Sequence, residues 1–290
     1  MRRARFLFLI LALSVPCAFE PTFAQKGALH LTLPNEKDSV KFVSIGDTGT
    51  GGRPQIELAN IMAAYHNIYP FEFLIMAGDN IYGSEKPTDM KRKFEDVYRP
   101  LLDRGVKFYA SLGNHDDTDQ RFYPLFNMRG EEYYRFQKGV ASFYALNSVD
   151  LEKPQIEWFE RELAKDDSKW KIAFFHHPAY SSGGRHGSSE RVRRTLEPIF
   201  IRYRVDIVFS GHDHIYERIK PQNGIQYFVT GAGGKLRKGN VEEGSTLTET
   251  AFDADLSFLM LEITDGRMHF QAISRTGQTV DSGSITRRDP

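Results

Sequence analysis

The sequence predicts an α/β protein, and three observations lead to that class. Short apolar, β-branched or aromatic runs recur along the chain, and several end in glycine plus a polar residue. That is the punctuation of a strand giving way to a loop. Between these runs lie segments whose apolar residues repeat every three or four positions, the period of an amphipathic helix. Beyond Phe228 the helical segments stop and strand-like runs follow one another. Alternating strand and helix argues for helices layered on sheets, and the β-rich end completes a second sheet.

The elements follow in order. "KFVSIGD" (41–47) is the first strand, and Pro54–Asn67 is a helix after a glycine-rich turn. "FEFLIMAGD" (71–79) is the next strand, and Met90–Asp103 carries Phe94, Val97, Leu101 and Leu102 at helical spacing. "VKFYASLGN" (106–114) and "VASFYALNS" (140–148) read as strands. Pro154–Lys165 has proline near its start, where a helix tolerates it, and holds Ile156, Trp158, Phe159 and Leu163. "WKIAFFHH" (170–177) is a strand, and Ser188–Tyr203 sets Val192, Leu196, Ile199 and Phe200 on one side of a helix. "VDIVFSGHD" (205–213) and "IQYFVTGAG" (225–233) are strands, followed by "LSFLMLEIT", "RMHFQAIS" and "QTVDSGSIT" with turns at Asp265-Gly266 and Thr276-Gly277. Residues 231–250 form the longest polar stretch and read as a mobile loop. No repeat, low-complexity block or linker intervenes, so a single domain over residues 35–288 is expected.

Composition narrows the function classes. Lys+Arg and Asp+Glu are equal at 38 each, so no basic excess argues for nucleic acid. The N-terminus, "MRRARFLFLILALSVPCAFEPTFAQ", places Arg2, Arg3 and Arg5 before the apolar run Phe6–Val15 and then small residues. This is the order of a secretory signal peptide, and the run is too short for a comfortable membrane span. Residues 1–24 are read as that peptide, cleaved after Ala24, with an uncleaved anchor as the alternative; the protein is then exported, periplasmic or secreted. Pro16 before Cys17 argues against a lipid-modified cysteine. Cys17 is the single cysteine of the chain and lies in this segment. The mature chain therefore has no disulfide to hold it in an oxidising compartment. Its 35 basic and 37 acidic side chains leave a net charge of −2.

The chemistry-bearing residues sit at the ends of strands: Asp47 in "GDTG", Asp79 and Tyr82 in "GDNIY", Asn114 and His115 in "GNHD", His176 or His177 in "FHHP", and His212 with His214 in "GHDH". Asp47, Asp79, Asn114, His176 and His212 are separated by 32, 35, 62 and 36 residues. A strand–helix–strand unit takes about 30 residues, so each gap fits one unit or a longer excursion. Ligands of open α/β sheets bind outside the carboxyl ends of the strands, so convergence on one crevice is expected. In a continuing strand alternate residues face the same way, and His212 and His214 would aim at one point.

Taken singly, each motif has an ordinary reading: a turn or helix cap for "GD", a surface histidine for "GNHD", packing for Tyr82. Together they offer carboxylate, amide oxygen, phenol and imidazole donors, more than one tetrahedral zinc requires. Such a set suits two cations about 3.5–4 Å apart bridged by a carboxylate, an arrangement that clamps an in-line displacement at phosphorus. A free tyrosine ionises near pH 10, so a coordinating Tyr82 phenolate points to ferric iron.

These motifs resemble those of the calcineurin-like metallophosphoesterases, and of their purple acid phosphatase branch in particular. The family signature GDxG, GDxxY, GNH[DE], VxxH and GHxH stands here as Gly46–Gly49, Gly78–Tyr82, Gly113–Asp116, Ala173–His176 and Gly211–His214. Ala173 replaces the usual valine, a strand-packing position. "FEDVYRPLL" and "VTGAGG" resemble the small tartrate-resistant type, and "YER" plant-type members. The resemblance implies a four-layer α/β/β/α sandwich of two mixed sheets. It implies a ferric ion on Asp47, Tyr82 and His214. A divalent zinc, iron or manganese ion would sit on Asn114, His176 and His212, and Asp79 would bridge the two. The His-x-Pro pattern selects His176 over His177, and strand alternation turns His177 to the opposite face. His115 and His186, the latter in the loop "SSGGRHGSS", would hold phosphate oxygens and protonate the leaving group. His30, His66 and His269 match no motif.

The expected function is that of a secreted dimetal phosphatase. A small-molecule phosphate monoester would be hydrolysed by attack of a metal-bound hydroxide, with no serine or cysteine nucleophile. The enzymatic alternative is a phosphodiesterase on the same dimetal core, acting on nucleotides or other diesters. The non-enzymatic alternative is a surface-binding protein with a structural metal site.

Overall fold

The computed structural model describes residues 29–288. The signal segment read over residues 1–24, and Cys17 with it, lies outside the described residues. The strands are β1 (Val40–Ile45), β2 (Phe73–Ala77), β3 (Lys107–Ser111), β4 (Tyr134–Lys138), β5 (Ala141–Ala145), β6 (Trp170–Phe174), β7 (Ile207–Ser210), β8 (Tyr216–Ile219), β9 (Gln226–Thr230), β10 (Thr248–Phe252), β11 (Ser257–Ile263), β12 (Arg267–Ser274) and β13 (Thr279–Thr286). The helices are α1 (Arg53–Ile68), α2 (Pro87–Met90), α3 (Asp96–Leu102), α4 (Lys153–Ala164) and α5 (Glu190–Tyr203).

The strands form two mixed sheets, one in the order β13-β12-β11-β1-β2-β3 and the other in the order β10-β8-β9-β7-β6-β5-β4. In the first, β1, β2 and β3 are parallel and β11 runs antiparallel to β1. In the second, β5, β6, β7 and β9 are parallel, flanked by antiparallel β4 and β8.

Three apolar clusters mark the three interfaces of a four-layer sandwich. Val43, Ile45, Leu74 and Met76 pack against Leu58, Met62 and Val97 of α1 and α3. Phe42, Phe73 and Ile75 meet Phe143, Ile172, Phe174 and Phe209 between the sheets. Ala173 and Val208 back onto Phe159, Leu163, Leu196 and Phe200 of α4 and α5. The alternation of β1 decides this: Phe42 faces the partner sheet while its neighbour Val43 faces α1. The two-sided burial explains why these strands read as near-continuous apolar runs.

The predicted strands and helices are present, with differences that have local causes. The helix expected over Met90–Asp103 begins earlier, at Pro87, and passes through a π turn at Lys91–Glu95 before α3. β4 lies at the sheet edge with only two aromatics, too weak an alternation to stand out. The stretch 231–250 is not one loop. Thr248–Phe252 is the edge strand β10, paired with β8, and residues 233–237 are bonded to the strand ends of both sheets.

Phe42 is fully buried, stacks on Phe73 at 5.3 Å and meets Phe143 edge-on at 5.2 Å. Phe42→Ala is expected to cost about 3–5 kcal/mol by leaving a cavity between the sheets, read as a lowered urea midpoint at unchanged slope.

Candidate metal centre

β1, β2 and β3 of one sheet and β6 and β7 of the other run out at a common edge, and each is followed at once by one of the five motifs. Backbone bonds stitch these ends together: Asp47 N–H donates to Gly78 O at 3.0 Å, Gly211 to His176 O at 2.9 Å and Gly46 to Thr230 O at 2.8 Å. Three of the turns are strained. Asp47, Asp79 and His212 have φ of +54°, +50° and +70°, in the left-handed region that few non-glycine residues occupy. Such outliers gather at functional sites. Close approach dictates the glycines beside them: a Cβ on Gly113 would fall 2.3 Å from Asp79 Oδ1, and one on Gly211 would fall 2.4 Å from Asp47 Oδ2.

The structure brings all seven predicted donor residues together, in two groups. Tyr82 OH lies 3.0 Å from Asp47 Oδ1 and 3.3 Å from His214 Nε2. His176 Nε2 lies 3.0 Å from Asn114 Oδ1 and 3.0 Å from His212 Nδ1. Asp79 Oδ1 reaches His176 Nε2 at 3.4 Å, and ligating atoms of Asp47, Asp79 and His176 fall within 4.8 Å of one another. His212 and His214 therefore serve different groups instead of one point. β7 ends at Ser210, so strand alternation no longer governs them. The same reason corrects the expectation for His177. β6 ends at Phe174, and His177 is not on an opposite face: its ring lies 4.5 Å from that of His212, and its Nδ1 meets Ser148 Oγ at 3.0 Å.

The bonding around His176 bears on whether cations fit the centre. Its Nδ1 faces Ala77 O at 3.0 Å and so carries the proton. Its Nε2 is turned to the amide oxygen of Asn114, the carboxylate of Asp79 and the imidazole of His212. Donor atoms gathered so closely in a buried site suit a cation placed among them. Burial shifts the titration of these groups in both directions. Burial first, then neighbouring positive groups, holds His212 down to about 2 and His214 to about 4. Burial, reinforced by Asp79 against the pull of His176, pushes Asp47 up to about 8. Burial and the charges of Asp47 and Asp79 push Tyr82 well above its ordinary value. Carboxylates, phenol and neutral imidazoles in this arrangement fit two cations.

The accessory histidines flank this centre. His115 donates its backbone N–H to Asp79 Oδ1 at 3.0 Å, and its exposed ring tilts over Tyr82 at 5.1 Å. His186 is exposed, and its ring lies 4.1 Å from that of His212. Its loop is anchored: Asp213 Oδ2 accepts from Ser181 Oγ at 2.7 Å and Gly187 N at 3.1 Å, and Glu217 from Ser182 N at 2.9 Å. His66 instead bonds Phe71 O at 3.1 Å, away from the centre.

A match to the family described as "Calcineurin-like phosphoesterase" covers residues 40–216, more than half of the chain. The chain belongs to that family. Purple acid phosphatase 7 of Arabidopsis thaliana is 24% identical over 95% of this chain and 97% of its own length. Tartrate-resistant acid phosphatase type 5 of Homo sapiens is 26% identical, covering 89% of this chain and 95% of its own. Among solved structures, Plasmodium GAP50, described as the anchor in the inner membrane complex, superimposes with a TM-score of 0.75 at 21% identity, over 87% of this chain and 90% of that one. The last likeness bears on the fold alone. The family makes this chain a metal-dependent phosphoester hydrolase.

Sequence reasoning missed several residues that shape the centre. Lys93 is buried in the π turn and donates to Tyr82 O at 2.7 Å and Ser84 O at 2.6 Å. Asp116 accepts from the backbone of Gly113 at 2.8 Å, Asn80 at 3.1 Å and Ile81 at 3.1 Å, tying the Asp79 turn to the Asn114 turn. A lysine within an apolar helical pattern was the signal for the first. Lys93→Met leaves two carbonyls unmet and frees the Tyr82 turn. About 1–3 kcal/mol of stability is expected to be lost, together with affinity for the metal beside Tyr82, read by thermal melting and metal titration.

Proposed function

We propose that the protein is a dimetal phosphatase acting on phosphate monoesters. Asp47, Tyr82 and His214 would hold a ferric ion, and Asn114, His176 and His212 would hold a divalent zinc, iron or manganese ion, with Asp79 serving both. The observation that supports this best is the convergence of the donors in two groups, Asn114–His176–His212 and Asp47–Tyr82–His214, with Asp79 Oδ1 reaching His176 Nε2. When bound, the two cations supply Lewis acidity, acidifying water and offsetting charge on the phosphoryl oxygens.

The chain's own groups do the rest. Asn114 and His115 face the phosphoryl group and offset its negative charge. His186, exposed beside His212, delivers a proton to the leaving oxygen. Its anchored loop sets where that proton arrives. The N-terminal segment supports export to the periplasm or beyond, and no helix among the described residues is long and apolar enough to cross a membrane.

Four outcomes test the reading. The metal-loaded protein should hydrolyse aryl phosphate monoesters faster than diesters; the reverse order would replace the monoesterase by the diesterase. It should carry two ions per chain and a visible charge-transfer band that Tyr82→Phe abolishes; a band surviving that substitution rejects ferric coordination by Tyr82. Asp79→Asn should remove activity and metal together. His186→Asn should keep both ions and slow poor leaving groups by about 10²–10⁴-fold, with good leaving groups affected far less.

A further inference from the structure

The segment after β9 brings to the centre two cationic side chains without a carboxylate partner among the described residues. Gly233 N–H donates to Gly46 O at 3.0 Å, Lys235 N–H to Asp47 O at 3.0 Å and Arg237 N–H to His214 O at 3.1 Å. Every second amide thus faces the strand-end turns, which fixes the segment as part of the site wall. Lys235 Nζ rests 3.5 Å from the centre of the Tyr82 ring. It makes no hydrogen bond to an acceptor among the described residues. Arg237 Nη1 is buried without a hydrogen-bond partner among the described residues. A buried guanidinium N–H without an acceptor is costly, and arginine's planar fork matches phosphate oxygens in pairs.

On this side of the centre stand Lys235 and Arg237, with Arg185 next to His186. An anionic fragment leaving the centre is drawn to these cationic side chains.

We propose that Lys235 and Arg237 form an anion subsite for the leaving group, selecting phosphoesters whose departing fragment carries a second phosphate. This deepens the monoesterase reading and rests on it. The reaction is unchanged: a water oxygen bonds to phosphorus, the ester P–O bond breaks and the leaving oxygen takes a proton. The subsite adds only an acceptor for Arg237 Nη1 and a counter-charge for Lys235.

The test uses the metal-loaded full chain and matched probes. Propane-1,3-diol bisphosphate is compared with the monophosphate by kcat/KM, and propane-1,3-bisphosphonate with propylphosphonate by calorimetric binding. The wild type should prefer the doubly charged member of each pair by about ten- to a hundred-fold, the worth of one charge-assisted hydrogen bond. The double variant Lys235→Gln, Arg237→Gln should collapse both ratios, and Arg237→Lys should retain part of the preference. A wild type without preference overturns the subsite, as do ratios that survive in the double variant. If the wild type holds two ions yet hydrolyses neither ester, the monoesterase reading fails, and the phosphonate ratio still decides the subsite.

Discussion

At the shared edge of the two sheets, the donor atoms of Asp47, Asp79, Tyr82, Asn114, His176, His212 and His214 are held in two close groups. That enforced convergence is the constraint on which the rest of the molecule depends. A chain left to itself would splay such groups into water. Here the turns that carry them are strained at Asp47, Asp79 and His212 and buttressed by glycines with no room for a Cβ. Burial keeps the imidazoles of His212 and His214 neutral, so their lone pairs stay available to a cation. The unfavourable arrangement persists because three apolar interfaces, none of which uses these residues, hold the sheets in place.

The sandwich divides the labour. The first sheet delivers the two aspartates, Tyr82, Asn114 and His115. The second delivers His176, His212 and His214. Neither sheet alone holds a complete set, so the packing of Phe42 and Phe73 against Phe143 and Phe209 also sets distances within the centre. Around it, Lys93, Asp116 and Asp213 satisfy the backbone of the turns and loop that carry Tyr82, Asn114 and His186. These groups touch no reacting atom in the proposed chemistry, yet they fix where the reacting groups stand.

The wall around the centre is where specificity for the leaving group resides. The segment from Gly233 to Arg237 is polar and glycine-rich, and composition alone reads it as a loop. Its alternating backbone bonds to both groups of donors make it part of the site. Basic side chains of this segment gather at the centre, although the whole chain carries 38 residues of each sign. Local charge placement, not the overall balance, shapes the path of an anion.

By itself the sequence determined the α/β class, the order of the elements apart from β4, β8 and β10, and which side chains are candidate donors. Those properties are local: an apolar run ending in Gly-Asp, Gly-Asn or Gly-His declares both the strand and the group at its end. The grouping of the donors was available only through a family likeness, since nothing within "GHDH" says that His212 joins His176 while His214 joins Asp47 and Tyr82. Tertiary structure decided it, because the strand stops at Ser210 and the following turn obeys contacts with the other sheet, not strand alternation. His177, Lys93, Lys235 and Arg237 entered the site for the same reason. Their neighbours there are distant in sequence or lie beyond a strand end, where local periodicity carries no information about them.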